Sequence, residues 1–444
     1  MAPLVGDAAG VADVLVARAT PPGAGALAIV RLSGPPGRAL AIARGVAPRL
    51  PEDAEPRRTF LSPFLAADGE PVDEGLVIFF ASPASATGEE VVELHAHGSP
   101  AIVEALLESA VSRGARRARP GEFTRRALAN GKVDLARAEG IGRLAAALDR
   151  GEARRALGLV RGELSRRVEA LREELFSALV ELEARLDFAE DVGREGEEAV
   201  LEGLARTAAR LRALGADVGR GRGVEEVPSV VILGVPNAGK STLFNALVGE
   251  DRALVTEIPG TTRDAVSEIV EIEGSRVRIV DTAGLRETAD PLERLGGAAA
   301  LRAAAAADLV LLAREEGGGA PDEALLPAGA ERVRLLTKGD LGGAAREGEL
   351  VVSARTGSGI DLLRREIAAR LLLDAKAGTL SALPRQREAL ARASAALDAV
   401  GGVLAGEVAA AAVREALGAL GEITGETATE ELLDRVFSTF CVGK

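Results

Sequence analysis

The sequence predicts a multidomain protein: an α+β N-terminal domain, an all-helical central domain, and an α/β P-loop domain inserted into the helical one. Three observations carry this. Residues 234–241 read Gly-Val-Pro-Asn-Ala-Gly-Lys-Ser, between an apolar run at 230–233 and a helix-like stretch at 242–247. Apolar residues at helical intervals of three and four flank that region on both sides. Short alternating runs separated by turns fill the first 119 residues.

Taken in order, residues 1–119 give strands near 11–17, 27–32, 76–80 and 91–96, and a helix near 102–112, an α+β pattern. Residues 120–220 are helical. Leu164, Val168, Leu171, Leu175, Leu179, Leu182 and Leu186 form one apolar stripe there, expected to be buried. A Gly/Arg-rich joint at 219–223 leads into residues 221–376, where strands and helices alternate. Residues 377–444 return to helix, with Leu390, Leu397, Val400 and Leu404 on one face. The closing helix is expected to start at a capping box, Thr427 to Glu430, and to bury Leu433, Val436, Phe437 and Phe440. Helix on both sides of the α/β stretch makes that stretch an insertion.

Composition narrows the class. With 444 residues, 47% of them hydrophobic, the chain has length for two or three cored domains. One Cys excludes an intrachain disulfide framework. The first ten residues do not read as a signal peptide, and no stretch reaches membrane-spanning length without charge, so a cytoplasmic protein is expected. The net charge of −13 argues against broad affinity for nucleic acid, though not against a local basic face. Arg113, Arg116, Arg117, Arg119, Arg125 and Arg126 are the sequence-level candidates for such a face. In an Arg-biased chain they read first as solvated surface, and no Tyr or Trp interleaves them for base stacking.

The chemistry starts at the P-loop. Backbone N–H groups across Asn237, Ala238, Gly239, Lys240, Ser241 and Thr242 suit a phosphate cradle. Lys240 neutralises phosphate charge, and the Ser241 hydroxyl reaches Mg²⁺. A chance match to this pattern runs at about 10⁻⁵ per window. Asp281-Thr282-Ala283-Gly284 follows a second apolar run: the Asp suits Mg²⁺ through water, and the Gly N–H suits a γ-phosphate. Thr337-Lys338-Gly339-Asp340 follows a third, and its carboxylate matches the N1–H and amino group of guanine. Ser353-Ala354-Arg355 follows a fourth and backs the base. Gly260-Thr261-Thr262-Arg263 stands where a switch segment offers a Thr, here Thr262, to Mg²⁺.

These five elements, which run in the chain as 234–241, 260–263, 281–284, 337–340 and 353–355, resemble the signature of GTPases, so the inserted unit reads as a G domain binding GTP. Two departures matter. Thr337 stands where Asn is usual, which leaves guanine specificity on Asp340. Leu285 stands where Ras-like enzymes have a water-orienting Gln.

Scarcity offers a separate pointer. The five lysines are Lys132, Lys240, Lys338, Lys376 and Lys444, in a chain that elsewhere uses Arg. A surviving Lys hints at a place where Arg does not serve. Two lie inside the nucleotide motifs, which makes Lys132, Lys444 and the lone Cys441 suspects.

The terminus Cys441-Val442-Gly443-Lys444 resembles the C-x-G-K tail of the MnmE (TrmE) family of tRNA-modification GTPases. The segments 19–23 and 29–34, Thr87 through Gly98, and Arg119-Pro120-Gly121-Glu122-Phe123-Thr124 resemble the same family. The resemblance spans essentially the whole chain. It implies a homodimer formed through the N-terminal domain, working in a heterotetramer with the FAD-carrying flavoprotein MnmG. Together they place an aminomethyl or carboxymethylaminomethyl group on C5 of the wobble uridine of tRNA. The one-carbon donor is a 5-formyl- or methylene-tetrahydrofolate.

By motif match the folate contacts are Arg31, Glu93 and Lys132, with Lys444 approaching and Cys441 in the working tail. Arg and Lys suit a glutamyl carboxylate, and Glu suits the donor edge of a pterin. The resemblance also implies K⁺ in place of an arginine finger, held by Asn237, Thr256, Ile258 and Thr261, with Thr256 and Thr261 also lining the GTP site. Glu293 is the implied water-orienting acid, joining Lys240 in catalysis. His95 and His97 share a strand face but have no third ligand, so no metal is expected on them. The alternative is a ribosome-assembly switch of the Era or Der type, without small-molecule chemistry. Its extra RNA-binding or second G domain is missing from this pattern.

Overall fold

The computed structural model describes residues 13–187, 197–220, 227–249, 266–282, 298–319, 321, 323–326, 330–371, 380–399 and 406–443. The chain divides into two compact units. One comprises residues 1–146, 156–221 and 380–444; the other comprises residues 147–155 and 222–379.

The first unit opens with a six-stranded sheet in the order β3-β4-β5-β2-β1-β6. Its strands are β1 (Val14–Arg18), β2 (Gly25–Gly34), β3 (Thr59–Leu65), β4 (Pro71–Phe80), β5 (Glu90–Gly98) and β6 (Ala115–Arg117). Only β1 and β6 pair in parallel. Val30, Leu32, Val92 and Leu94 alternate inward, against α1 (Arg38–Val46) and α2 (Pro100–Ser112), and form the core with Phe64. The opposite pleat carries Arg31, Glu93 and His95. Strand β3 escapes the sequence pattern because Pro63 interrupts it, which suits the sheet edge it occupies. Helix α1 escapes because it opens from a left-handed Gly37 with no capping side chain.

The helical part contains α3 (Glu122–Ala129), α4 (Leu135–Ala146), α5 (Arg150–Val160), α6 (Glu163–Asp187) and α7 (Glu197–Arg220). Along α6 the expected stripe is buried from Leu164 to Leu182, but Leu186 is 38% exposed. Residues 147–155, including the start of α5, group with the second unit, where Asp149 accepts from the Arg276 main chain and side chain.

In that second unit a six-stranded sheet runs β12-β11-β10-β7-β9-β8. Its strands are β7 (Ser229–Gly234), β8 (Val266–Ile272), β9 (Ser275–Asp281), β10 (Leu309–Arg314), β11 (Arg332–Leu336) and β12 (Glu349–Val351). All pairs are parallel except β8 with β9. Apolar strands buried on both faces by helices give the near-continuous hydrophobic runs seen in the sequence. The helices are α8 (Lys240–Val248), α9 (Ala298–Ala305) and α10 (Ile360–Arg370).

The chain returns to the first unit through α11 (Pro384–Asp398), α12 (Gly406–Thr424) and α13 (Glu430–Phe437). Buried Leu390 and Leu397 lie on α11 as expected; Val400 and Leu404 fall outside the described residues. The expected cap at Thr427 is displaced. Thr429 caps α13, its hydroxyl accepting from the Leu432 N–H, while the Thr427 hydroxyl donates to Gly418. Leu433 and Phe437 are buried, and Val436 and Phe440 are half-buried beside them.

Candidate functional site

Strand β7 delivers the P-loop to the N-terminus of α8. Gly239 caps the helix at φ 76°, and Asn237 sits at φ 69°, both left-handed, so the loop turns its N–H groups toward one concavity. Gly234 is obligatory: a Cβ there would stand 2.5 Å from the Ala313 carbonyl oxygen of β10. Lys240 Nζ donates to the carbonyls of Gly234 and Val235 at 2.9 and 3.0 Å, curled over the loop it serves. Ser241 and Thr242 are exposed in the first turn. Buried Asp281 ends β9 opposite Ile232, and the Thr282 hydroxyl donates to the Ile232 carbonyl at 2.6 Å. The fold therefore brings Asp281 beside the P-loop strand, as a shared Mg²⁺ site requires.

The guanine side is built by three loops. A cavity of about 240 Å³ is lined by Gly239, Thr242, Thr337, Lys338, Asp340, Ala354 and Arg355 together with Leu243, Leu341 and Val352. Sequence reasoning missed the last three, because apolar residues beside polar motifs carry no separate signal. Thr337 is buried, and its hydroxyl stands 2.8 Å from both the Ala238 and Arg314 carbonyl oxygens. With one proton, it donates to one of them at a time, tying the guanine loop to the P-loop in the role an Asn amide would fill. Lys338 adopts φ 55° and its ammonium pairs with Glu315, a residue outside every motif.

Asp340 accepts from the Ser353 hydroxyl at 2.6 Å and pairs with Arg355 at 2.6 Å. The Ser353 hydroxyl first, and the Arg355 guanidinium after it, hold its carboxyl below the usual carboxylate range. It therefore stays an acceptor, as a guanine N1–H requires. Beneath lies a buried pair, Arg314 Nε to Glu349 Oε1 at 2.5 Å, which fixes the end of β10 against β12.

In the other unit, Arg31 and Glu93 are direct cross-strand neighbours on β2 and β5. Arg31 Nε donates to Glu93 Oε1 at 2.9 Å, and its guanidinium lies 5.9 Å from the centroid of the Phe123 ring. His95 Nε2 stands 3.2 Å from the other Glu93 oxygen. His97 pairs with Asp73, and no cluster of metal-ligating side chains exists among the described residues. The C-terminal tail docks here. Val442 bridges antiparallel to Pro120, Gly121 N–H donates to the Cys441 carbonyl at 3.4 Å, and Arg31 Nη1 stands 3.4 Å from the Gly443 carbonyl oxygen. Cys441 keeps an exposed, free thiol. The tail is thus pinned at its backbone rather than being the loose tip its Gly content suggests.

Lys132 is exposed and donates to the Pro83 carbonyl at 3.0 Å; no contact joins it to Arg31 or Glu93. The Arg cluster is largely neutralised: Arg116 pairs with Asp13 and Glu122, Arg117 with Glu104, Arg125 with Glu430 and Asp434, and Arg126 with Asp13 and Glu89. Thr256, Ile258, Thr261, Thr262, Ala283, Gly284, Glu293 and Lys444 fall outside the described residues.

A P-loop, a buried Asp at the end of the neighbouring strand and a Thr-Lys-Gly-Asp loop on a mostly parallel sheet define a P-loop GTPase whose nucleotide unit interrupts a helical domain. Residues 14–132 match the family described as the N-terminus of the GTP-binding protein TrmE, and residues 135–441 match the MnmE helical domain. The tRNA modification GTPase MnmE of Alkalilimnicola ehrlichii is 41% identical across 97% of this chain and 99% of its own. That of Methylococcus capsulatus is 42% identical across 97% and 99%. The chain belongs to the MnmE family of tRNA modification GTPases. Membership over nearly the whole chain does not favour the assembly-switch alternative.

Proposed function

We propose that this protein is a K⁺-stimulated GTPase that modifies C5 of the tRNA wobble uridine together with MnmG, using a tetrahydrofolate one-carbon unit. The observation that carries this reading is the convergence of Arg31, Glu93 and the Cys441–Gly443 tail on one face of the N-terminal sheet, apart in sequence from the nucleotide motifs. The donor set fits a folate: a guanidinium for a carboxylate, and a carboxylate for the amino-pyrimidine edge. Arg31 is already oriented by Glu93 and Phe123, so binding there needs little reordering.

At the nucleotide, Lys240 and the α8 N-terminus hold phosphate, Asp340 reads guanine, and Ser241, Asp281 and Thr262 serve Mg²⁺. Asn237, Thr256, Ile258 and Thr261 would hold K⁺, which supplies positive charge at the β/γ bridge, and Glu293 would orient water. A homodimer through the N-terminal domain, a heterotetramer with MnmG and a cytoplasmic location complete the reading. Nucleoside analysis of tRNA from a deletion strain tests it: loss of the C5-modified wobble uridine is expected, and unchanged tRNA overturns it.

A further inference from the structure

Four of the six arginines that look most like a nucleic-acid face in sequence, Arg116, Arg117, Arg125 and Arg126, are tied to carboxylates, but a different set is not. Lys132 donates to the Pro83 carbonyl and Arg57 to the adjoining Ala84 carbonyl. Arg137 Nη1 stands 3.4 Å from the Lys132 carbonyl oxygen, and its Nε donates to the Val160 carbonyl at 3.1 Å. Arg137 also packs on Gly162, where a Cβ would meet its Cδ at 3.3 Å. Arg161 and Arg166 flank that glycine, and Arg166 donates to the Arg161 carbonyl at 2.7 Å. Five cationic residues thus adjoin one another through main-chain carbonyls. Among the described residues none of the five pairs with a carboxylate, and all but Arg137, which is half-buried, are exposed.

Stability does not explain this arrangement. Arg137 and Arg166 lie in the first turns of α4 and α6, at the positive ends of those helices, where cations are unfavourable. The two acids nearby are otherwise engaged or turned aside. Asp134 accepts from the Arg137 N–H and the Ser165 hydroxyl, and Glu163 lies against Gly158. In a chain of net charge −13, five neighbouring cations that meet main-chain carbonyls or solvent, and no carboxylate, match a row of phosphates.

We infer that Arg57, Lys132, Arg137, Arg161 and Arg166 form the surface that grips the phosphate backbone of the RNA substrate, which moves Lys132 from the folate set that the resemblance implies to this surface. The inference rests on the reading that this chain acts on tRNA. The contacts are to phosphate, so they hold and register the RNA without reading its sequence.

The test is tRNA binding by the full-length protein, measured by fluorescence anisotropy across a salt series, with an unmodified transcript as probe. Arg161→Gln combined with Arg166→Gln removes two exposed cations and leaves the helix backbone intact. The double variant is expected to bind about tenfold or more weakly near 0.1 M salt, and its log–log salt slope should fall by about one to two, near one per lost phosphate contact. Arg117→Gln, which removes a paired arginine outside the patch, is expected to leave affinity and slope unchanged. A double variant with parental affinity and slope overturns the patch while leaving the tRNA reading intact. A parent protein that binds no tRNA at any salt also overturns the patch, and the tRNA reading then stands or falls on the nucleoside analysis of the deletion strain. A double variant that keeps tRNA but loses a protein partner overturns the patch as an RNA surface and reassigns it to that partner.

Discussion

The Thr337 hydroxyl lies 2.8 Å from the carbonyl oxygen of Ala238, joining the guanine loop to the phosphate loop across ninety-nine residues of sequence. The same hydroxyl lies equally close to the Arg314 carbonyl, so one small side chain links P-loop, β10 and base-reading loop. A Thr here thus ties the two loops through a single hydroxyl donor.

Replacing that donor should expose its role. Thr337→Val keeps the shape and removes the proton, leaving a buried carbonyl without its partner at a cost of about 1–3 kcal/mol. Guanine-nucleotide affinity in a fluorescent-GDP titration is expected to fall about tenfold. Thr337→Asn should restore it. Parental affinity in the Val variant would show that the tie is incidental.

The buried Arg314–Glu349 pair supports the same loop from below. Removing one partner, as in Arg314→Met, strands a carboxylate in the interior and should cost about 3 kcal/mol of stability. Hydrogen bonding from Arg314 holds the Glu349 carboxyl below its ordinary range. Its folded pKa is thus below its unfolded one, so the stabilisation is present above the unfolded value and is lost as pH falls through the folded one. Urea melts at falling pH should converge for parent and Glu349→Gln, and a gap that persists into strong acid contradicts the assignment.

Turnover should depend on K⁺, because Leu285 cannot orient water. Exchanging K⁺ for Na⁺ is expected to slow GTP hydrolysis by about 10²-fold, the scale on which one charge-stabilising group acts. Asn237→Ala should lose the K⁺ response while still binding nucleotide. Asn237→Gly, which suits the positive φ at this position, should behave the same and separate the lost amide from backbone strain. Equal rates in the two salts would remove K⁺ from the mechanism.

The two units should separate by mutation. Cys441→Ser leaves the nucleotide unit untouched, so hydrolysis should stay near parental while wobble-uridine modification is lost. Arg31→Ala and Glu93→Ala should weaken binding of 5-formyltetrahydrofolate in calorimetry, since each breaks the pair that orients the other. Fully modified tRNA from the Cys441→Ser strain would make the thiol structural; a collapse of hydrolysis would couple the tail to the switch.

By itself the sequence determined the architecture and the chemistry of the nucleotide motifs. The P-loop, Asp281, Asp340 and Ser353 each follow an apolar strand, and a parallel sheet places all its strand ends at one edge, so reading the strands locates the site. Helical periodicity gave α6 and α11 for the same reason: a local repeat fixes which face is buried.

What only the tertiary structure decided was pairing between distant segments. Arginines 116, 117, 125 and 126 read as solvated surface, with a basic face as the alternative, until their carboxylate partners, up to 309 residues away, are seen. Arg57, Lys132, Arg137, Arg161 and Arg166 read as scattered charges until the turns at 131 and 162 bring them together. The cap at Thr429 instead of Thr427, the exposed Leu186 and the docked tail belong with them. Local propensity sets which conformations a segment can adopt, but charge partners and burial depend on the neighbours that folding supplies, and those contacts leave no local trace in the chain.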